Sequence, residues 1–162
     1  MKAWKQRSRE IRNLFNPAFC GAILLRAMQG FESLEERGMP FSLTLPVLPL
    51  SLHKDTRDVI NRGSRSYLTK IIHDNPQILV GLAHRTRSLI PYTLEAFGLL
   101  MQLGGIVVKP DGRLHTTDGC IRSSLVGTDE SQACQRAACT LGKKFAHIGD
   151  RVTIYTTFGI RP

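Results

Sequence analysis

Ile106-Val107-Val108-Lys109-Pro110-Asp111-Gly112-Arg113-Leu114-His115 sets an apolar β-branched run, a Pro-Asp-Gly turn and a second short run end to end. That order predicts a β-hairpin, because β-branched residues favour the pleat and Pro-Asp-Gly favours a tight reversal. Gly104-Gly105 closes the segment before it. There, from Pro91 to Leu103, Leu94, Phe97, Leu100 and Met101 fall on one helical face. Further upstream, Asn75-Pro76 is a helix-start signal ahead of Ile78, Leu79, Leu82, Ala83 and Leu89, and Pro91 is placed to restart the chain. Two helices joined at a Pro-marked corner and followed by a hairpin predict a helix-turn-helix with a wing.

The rest of the chain supplies the core for this unit. Asn16-Pro17-Ala18-Phe19-Cys20-Gly21-Ala22-Ile23-Leu24-Leu25-Arg26-Ala27-Met28-Gln29-Gly30-Phe31 carries a cap and a first-position proline. Its apolar residues cover most of the circumference, as expected of a helix buried on several sides. At about fifteen residues, broken by Arg26, it is shorter than the roughly 20 apolar residues of a membrane span. It is expected to run to about Arg37 and to stop at Gly38. Residues 43–52 alternate like a strand, but Pro46 and Pro49 would remove ladder donors, so a short helix from Pro46 is expected. Ser64 or Ser66 can cap a helix carrying Tyr67, Leu68, Ile71 and Ile72. Residues 116–128 read as a loop. Thr128 or Asp129 opens a helix to about His147, and Asp150 and Gly159 bracket a last short one. Ala133, Cys134, Ala137, Ala138 and Gly142 would let a neighbouring helix come close. The fold class is therefore mainly α, a winged helix-turn-helix core with a small β-hairpin wing and extra flanking helices. Residues 1–15 form a basic N-terminal segment and residues 16–162 a single winged-helix-like domain.

With 162 residues, 42% hydrophobic and 22% charged, the chain can build a core without disulfides. Its N-terminus lacks the order of a secretory signal, which points to the cytoplasm. The net charge of +9 raises the question of nucleic acid or another acidic partner. Lys2, Lys5, Arg7, Arg9 and Arg12 hold about half of that excess, and the remainder is spread thinly.

Little in the chain converges on catalysis. No nucleophile elbow, zincin, phosphate-loop or dinucleotide motif is present, and His53, His73, His84, His115 and His147 lack ligand spacing. The four cysteines form no CxxC pair and read as packed thiols. Cys20 and Cys139 are the candidate nucleophiles for a thiolate enzyme, and Arg136 and Lys143, which equally well face solvent, are the basic residues a helical spacing would put nearby. The expectation is a protein that is not an enzyme and needs no metal or cofactor.

The helix expected to enter a DNA groove, Pro91 to Leu103, holds Glu95 and Gln102 but no Lys or Arg. Better phosphate-binding candidates are Lys109 and Arg113 beside the turn, with Arg85 and Arg87. DNA binding through the wing and the basic N-terminus is thus the alternative function.

Four short motifs add a resemblance that extends from residue 16 to the C-terminus. They are Asn16-Pro17-Ala18-Phe19-Cys20, the run Leu48 to Arg57, Leu89-Ile90-Pro91-Tyr92-Thr93, and Phe158-Gly159-Ile160-Arg161-Pro162. In this joint order they resemble the small bacterial middle components of three-component ABC-ATPase (ABC-3C) systems, encoded beside an SMC- or RecN-like ABC ATPase and an effector. The resemblance implies a winged-helix adaptor linking ATPase to effector in a prokaryotic conflict or anti-phage defence system. Its partners would be those two proteins, with DNA contacted directly or through the ATPase, and no membrane. His53, Lys54 and Arg57 form a polar cluster that reads either as a contact surface or as an internal brace. Tyr92 and Phe97 lie in the candidate docking helix, and Arg161 suits a bidentate bond to a partner carboxylate.

Overall fold

The computed structural model describes residues 4–160. A short turn at Trp4–Gln6 leads into α1 (Arg9–Leu14), capped by Ser8, whose hydroxyl accepts from the Ile11 N–H. Asn16 then caps α2 (Pro17–Glu32), its Oδ1 accepting from the Ala18 N–H at 2.8 Å. The helix ends at Glu32, five residues before the expected Arg37, where the Ser33 hydroxyl donates to the Gly30 carbonyl at 2.7 Å. Gly38 has another role. Its φ of +83° admits no side chain beside the His115 ring, and it turns the chain into a strand that the sequence did not announce, β1 (Met39–Pro40).

Pro46 opens a helix as expected. After α3 (Phe41–Thr44), α4 (Val47–Leu52) places Pro49 in its first turn, where no ladder bond is lost. His53 both ends α4 and starts α5 (Lys54–Arg62). The next helix, α6 (Leu68–Asp74), begins at Tyr67 without a serine cap.

The largest correction concerns Pro91. Pro76–Leu79 forms only a 3-10 turn, Gly81 breaks the chain with φ +67°, and α7 (Leu82–Gln102) then runs unbroken through Pro91. The expected corner does not form, and with it goes the turn of the helix-turn-helix. An interior proline costs about 3 kcal/mol through a lost bond and a ring clash. Burial on both sides of it offsets that cost: Leu82 and Thr86 precede the proline, while Ala96, Phe97 and Leu100 follow it into the same core.

The hairpin forms where the turn chemistry places it, with β2 (Ile106–Val108) antiparallel to β3 (Arg113–Thr116). Gly112 takes φ +77° and donates to the Lys109 carbonyl at 2.8 Å. β1 adds a third strand on the far side of β3, pairing Met39 with Leu114, so the order is β1-β3-β2. The loop after β3 leads to α8 (Asp129–Ile148), capped by Thr128 and ended by Gly149 at φ +73°. Asp150 caps α9 (Arg151–Thr157), accepting from the Thr153 N–H at 2.7 Å.

At the centre lies α2, with Cys20, Ile23, Leu24, Ala27 and Met28 wholly excluded from solvent. It packs chiefly on α8 and then on α7. Small residues on both helices permit this: a Cβ on Gly30 of α2 would sit 2.2 Å from the Cys139 carbonyl oxygen of α8, so the two backbones are in direct contact. The whole is mainly α with one small antiparallel sheet. Among the described residues, no helix is long and apolar enough to cross a membrane.

Candidate functional site

The residues singled out in the sequence fall into three places. The first is the α4–α5 junction. His53 Nδ1 accepts from the Thr56 N–H at 3.4 Å and lies 2.9 Å from the Thr56 hydroxyl, which fixes the ring as the cap of α5. Lys54 points outward and pairs with Asp58 at 2.6 Å, an i,i+4 contact on a solvated face. Arg57 turns inward and is only 3% exposed. Its guanidinium donates to Glu130 Oε1 at 2.9 Å and Cys134 Sγ at 3.2 Å, with the Ser51 and Leu52 carbonyls at 3.4 Å. Arg57 therefore ties the end of α4 to the first turns of α8.

The second place is α7. Tyr92 is half-buried and stacks on Phe15, ring centroids 4.4 Å apart and planes 28° from parallel. Arg7 lies over the same ring at 5.6 Å and over Trp4 at 5.4 Å, and its fork grips both oxygens of Glu95, with Nη1 to Oε2 at 2.7 Å. That bond holds the Glu95 carboxyl below its ordinary value. Phe97 is buried and meets Phe41 at 5.6 Å. So the N-terminal segment covers one flank of α7. Its other flank is open: Leu94 and Met101, seven residues apart on one stripe of the helix, remain more than half exposed, as does Leu103 just past its end; Val107 and Val108 of the edge strand β2 are about half exposed.

The third set, the phosphate-binding candidates, differ in their freedom. Arg85 donates to the Val80 carbonyl at 2.7 Å and the Ile78 carbonyl at 3.2 Å, closing the turn before α7. Arg113 donates to the Gly38 carbonyl at 2.8 Å and lies beside Asp111, bracing β3 against the chain entering β1. Arg87 and Lys109 are exposed. Arg161 lies outside the described residues.

Burial governs the thiols. Cys20 is wholly buried, which pushes its thiol up to about 12, and Cys134 is raised by burial too, although Arg57 lies beside it. Among the described residues, no group of three or more His, Cys, Asp or Glu side chains is gathered to hold a metal ion.

One surface escaped the reading of the sequence. The loop between α5 and α6 lies against the C-terminal half of α8, held there by Lys144, which is 8% exposed and donates to the Ser64 and Ser66 carbonyls at 3.1 and 2.5 Å. The cleft between them encloses about 480 Å³ and carries Arg65, Lys143 and His147 along its walls. A signal existed. Arg136, Lys143 and His147 stand at i, i+7 and i+11, one stripe of a helix, but nothing local announces that Arg65 and Tyr67 join them.

A family model, that of the ABC-three component (ABC-3C) system Middle Component 3, matches the chain over residues 4–162. No curated protein and no solved structure matches it.

Proposed function

Because the chain belongs to the family of ABC-three component system Middle Component 3, we propose that it is a non-enzymatic cytoplasmic adaptor. In this role it links an SMC- or RecN-like ABC ATPase to an effector protein in a prokaryotic anti-phage conflict system. The observation that carries the reading is the extent of the family match, which takes in the N-terminal segment, both faces of α7 and the helices that follow. The open flank of α7 supports it. Leu94, Met101 and Leu103 expose aliphatic side chains that a partner protein would cover, and β2, with Val107 and Val108 half exposed, is an unpaired sheet edge. Lys54 supplies a polar contact at the surface, Tyr92 holds the N-terminal segment against α7, and His53, Arg57 and Phe97 brace the backbone. Arg161 adds a terminal guanidinium for a partner carboxylate.

Co-purification of the tagged protein with the products of the neighbouring genes tests this, at low and high salt and with nuclease. A stoichiometric ATPase complex that survives both treatments is expected, since aliphatic docking is insensitive to ionic strength. Met101→Asp with Leu94→Asp should abolish the complex while circular dichroism stays unchanged. Loss of the ATPase on nuclease treatment would reject the adaptor in favour of tethering through DNA. Lys109→Glu examines the hairpin separately: an unchanged affinity for DNA rules it out as a phosphate-binding wing.

A further inference from the structure

We propose that the cleft between the α5–α6 loop and α8 binds the phosphodiester backbone of a single-stranded nucleic acid, with Tyr67 as the platform for an unstacked base. Its first support is charge. The 480 Å³ cleft continues into a second of about 430 Å³ that shares Ser64, Thr140 and Lys143, and no carboxylate lines either of them among the described residues. From residue 131 to the end of α8 there is no acidic side chain at all. Arg65, Arg136 and Lys143 are exposed and enter no ion pair among the described residues, unlike Arg57, Arg37 and Lys70. Below them Lys144 is a buried cation whose acceptors are neutral carbonyls. Burial holds its ammonium below the ordinary value, a condition that an anion in the cleft would relieve.

Geometry is the second support. Arg136 to Lys143 spans seven residues of helix, roughly 10 Å at 1.5 Å per residue, and Arg65 lies across the cleft from them, so the cations form a track rather than a point. A single phosphate or mononucleotide would leave most of it unused. Tyr67 stands at the mouth, 69% exposed, with its ring against His147 at 5.6 Å. An exposed aromatic beside a basic track is the arrangement by which single strands are held, bases stacking on rings and phosphates following the cations. Duplex bases are already stacked and cannot reach such a ring. An acidic peptide would satisfy the cations but has no use for the exposed tyrosine.

The test is fluorescence anisotropy of the full chain with labelled fifteen-nucleotide dT and rU strands, a matched duplex, and a polyglutamate peptide, across a salt series. Single strands should bind most tightly, and dT against rU compares a DNA with an RNA strand. Arg136→Glu with Lys143→Glu should weaken single-strand binding at least tenfold at low salt and flatten the salt slope by about 1.4, two phosphate contacts at roughly 0.7 each. Tyr67→Ala should weaken it about fivefold or more with the slope unchanged. Arg151→Glu, an exposed cation that lines neither cleft, should leave it intact. Circular dichroism checks that each variant folds. Wild-type affinity in both cleft variants, or absence of single-strand binding at low salt, overturns the proposal. Polyglutamate binding as tightly as dT, with the same sensitivity to Arg136 and Lys143 but not to Tyr67, would assign the cleft to an acidic protein segment instead.

Discussion

Gly142 of α8 faces the Ala27 carbonyl of α2 with no room for a side chain: a Cβ there would lie 1.9 Å from that oxygen. Together with Gly30 on the opposite helix, it lets the two central backbones touch. Close helix approach of this kind increases dispersion contact along both helices, and it leaves no flexible group that could move aside.

Gly142→Ala should therefore destabilise the fold by about 2–3 kcal/mol, the cost of overpacking a rigid core. Gly98→Ala is the control. It lies in α7 with nothing within 4 Å of its would-be Cβ, so it should stabilise by about 0.5–1 kcal/mol through helix propensity alone. Urea unfolding of both variants checks the pair of signs; equal effects would mean that the crossing is not close-packed.

Docking of the N-terminal segment should depend on pH. Arg7 holds the Glu95 carboxyl below its ordinary 4.5, so the folded carboxylate is the form the fold favours. Its contribution is fully present above about pH 4.5 and disappears as pH falls through the lower folded value. Trp4 is the only tryptophan and lies under Arg7, so its emission reports the event. A step in acid is expected, and Glu95→Gln should show the acid-like emission already at neutral pH. An emission that is flat with pH in both proteins would show that the pair does not hold the segment.

Cys20 should resist alkylation. With its thiol pushed up to about 12 by burial, iodoacetamide at pH 8 should label it only after unfolding, as mapped by mass spectrometry. Fast labelling of the native protein would restore the thiolate-enzyme alternative.

Arg26 is buried among apolar neighbours of α2, yet it donates to the Arg122 and Ser124 carbonyls at 2.6 and 3.0 Å, and to Gln135. It is the anchor of the loop before α8. Arg26→Met should cost about 2–3 kcal/mol through those lost charge-assisted bonds. Limited trypsin digestion should then cut after Arg122 far faster than in the parent; unchanged digestion would show that the loop holds itself.

Local chemistry made much of this architecture readable. The caps at Asn16, Thr128 and Asp150 and the Pro-Asp-Gly turn act within four residues of themselves, so the sequence displays them directly. Pro46 and Pro49 were readable for the same reason, since a first-turn proline sacrifices nothing. Pro91 was not, because what overrides its local cost is burial contributed by other helices. β1 was equally hidden: its partners Arg113 and Leu114 are more than seventy residues away and leave no mark on Met39-Pro40. Among the candidate residues, His53 and Lys54 stand where a helix start would put them, whereas the inward turn of Arg57 needed Glu130 and Cys134 to be seen beside it. The basic track was half visible, as a stripe along α8, and its other half depends on Lys144 reaching across to Ser64 and Ser66.

The touching of α2 and α8 also sets a timetable for biosynthesis. Arg26 and Gln135, bonded across that crossing, are 109 residues apart. At translation rates of about 5–20 residues per second, roughly 5–20 s pass between the emergence of the two helices. During that interval the long central helix has been made and its principal neighbour has not. Ribosome-associated chaperones therefore have their natural client in residues 17–32, and slowing translation downstream of residue 32 should lengthen their hold on it.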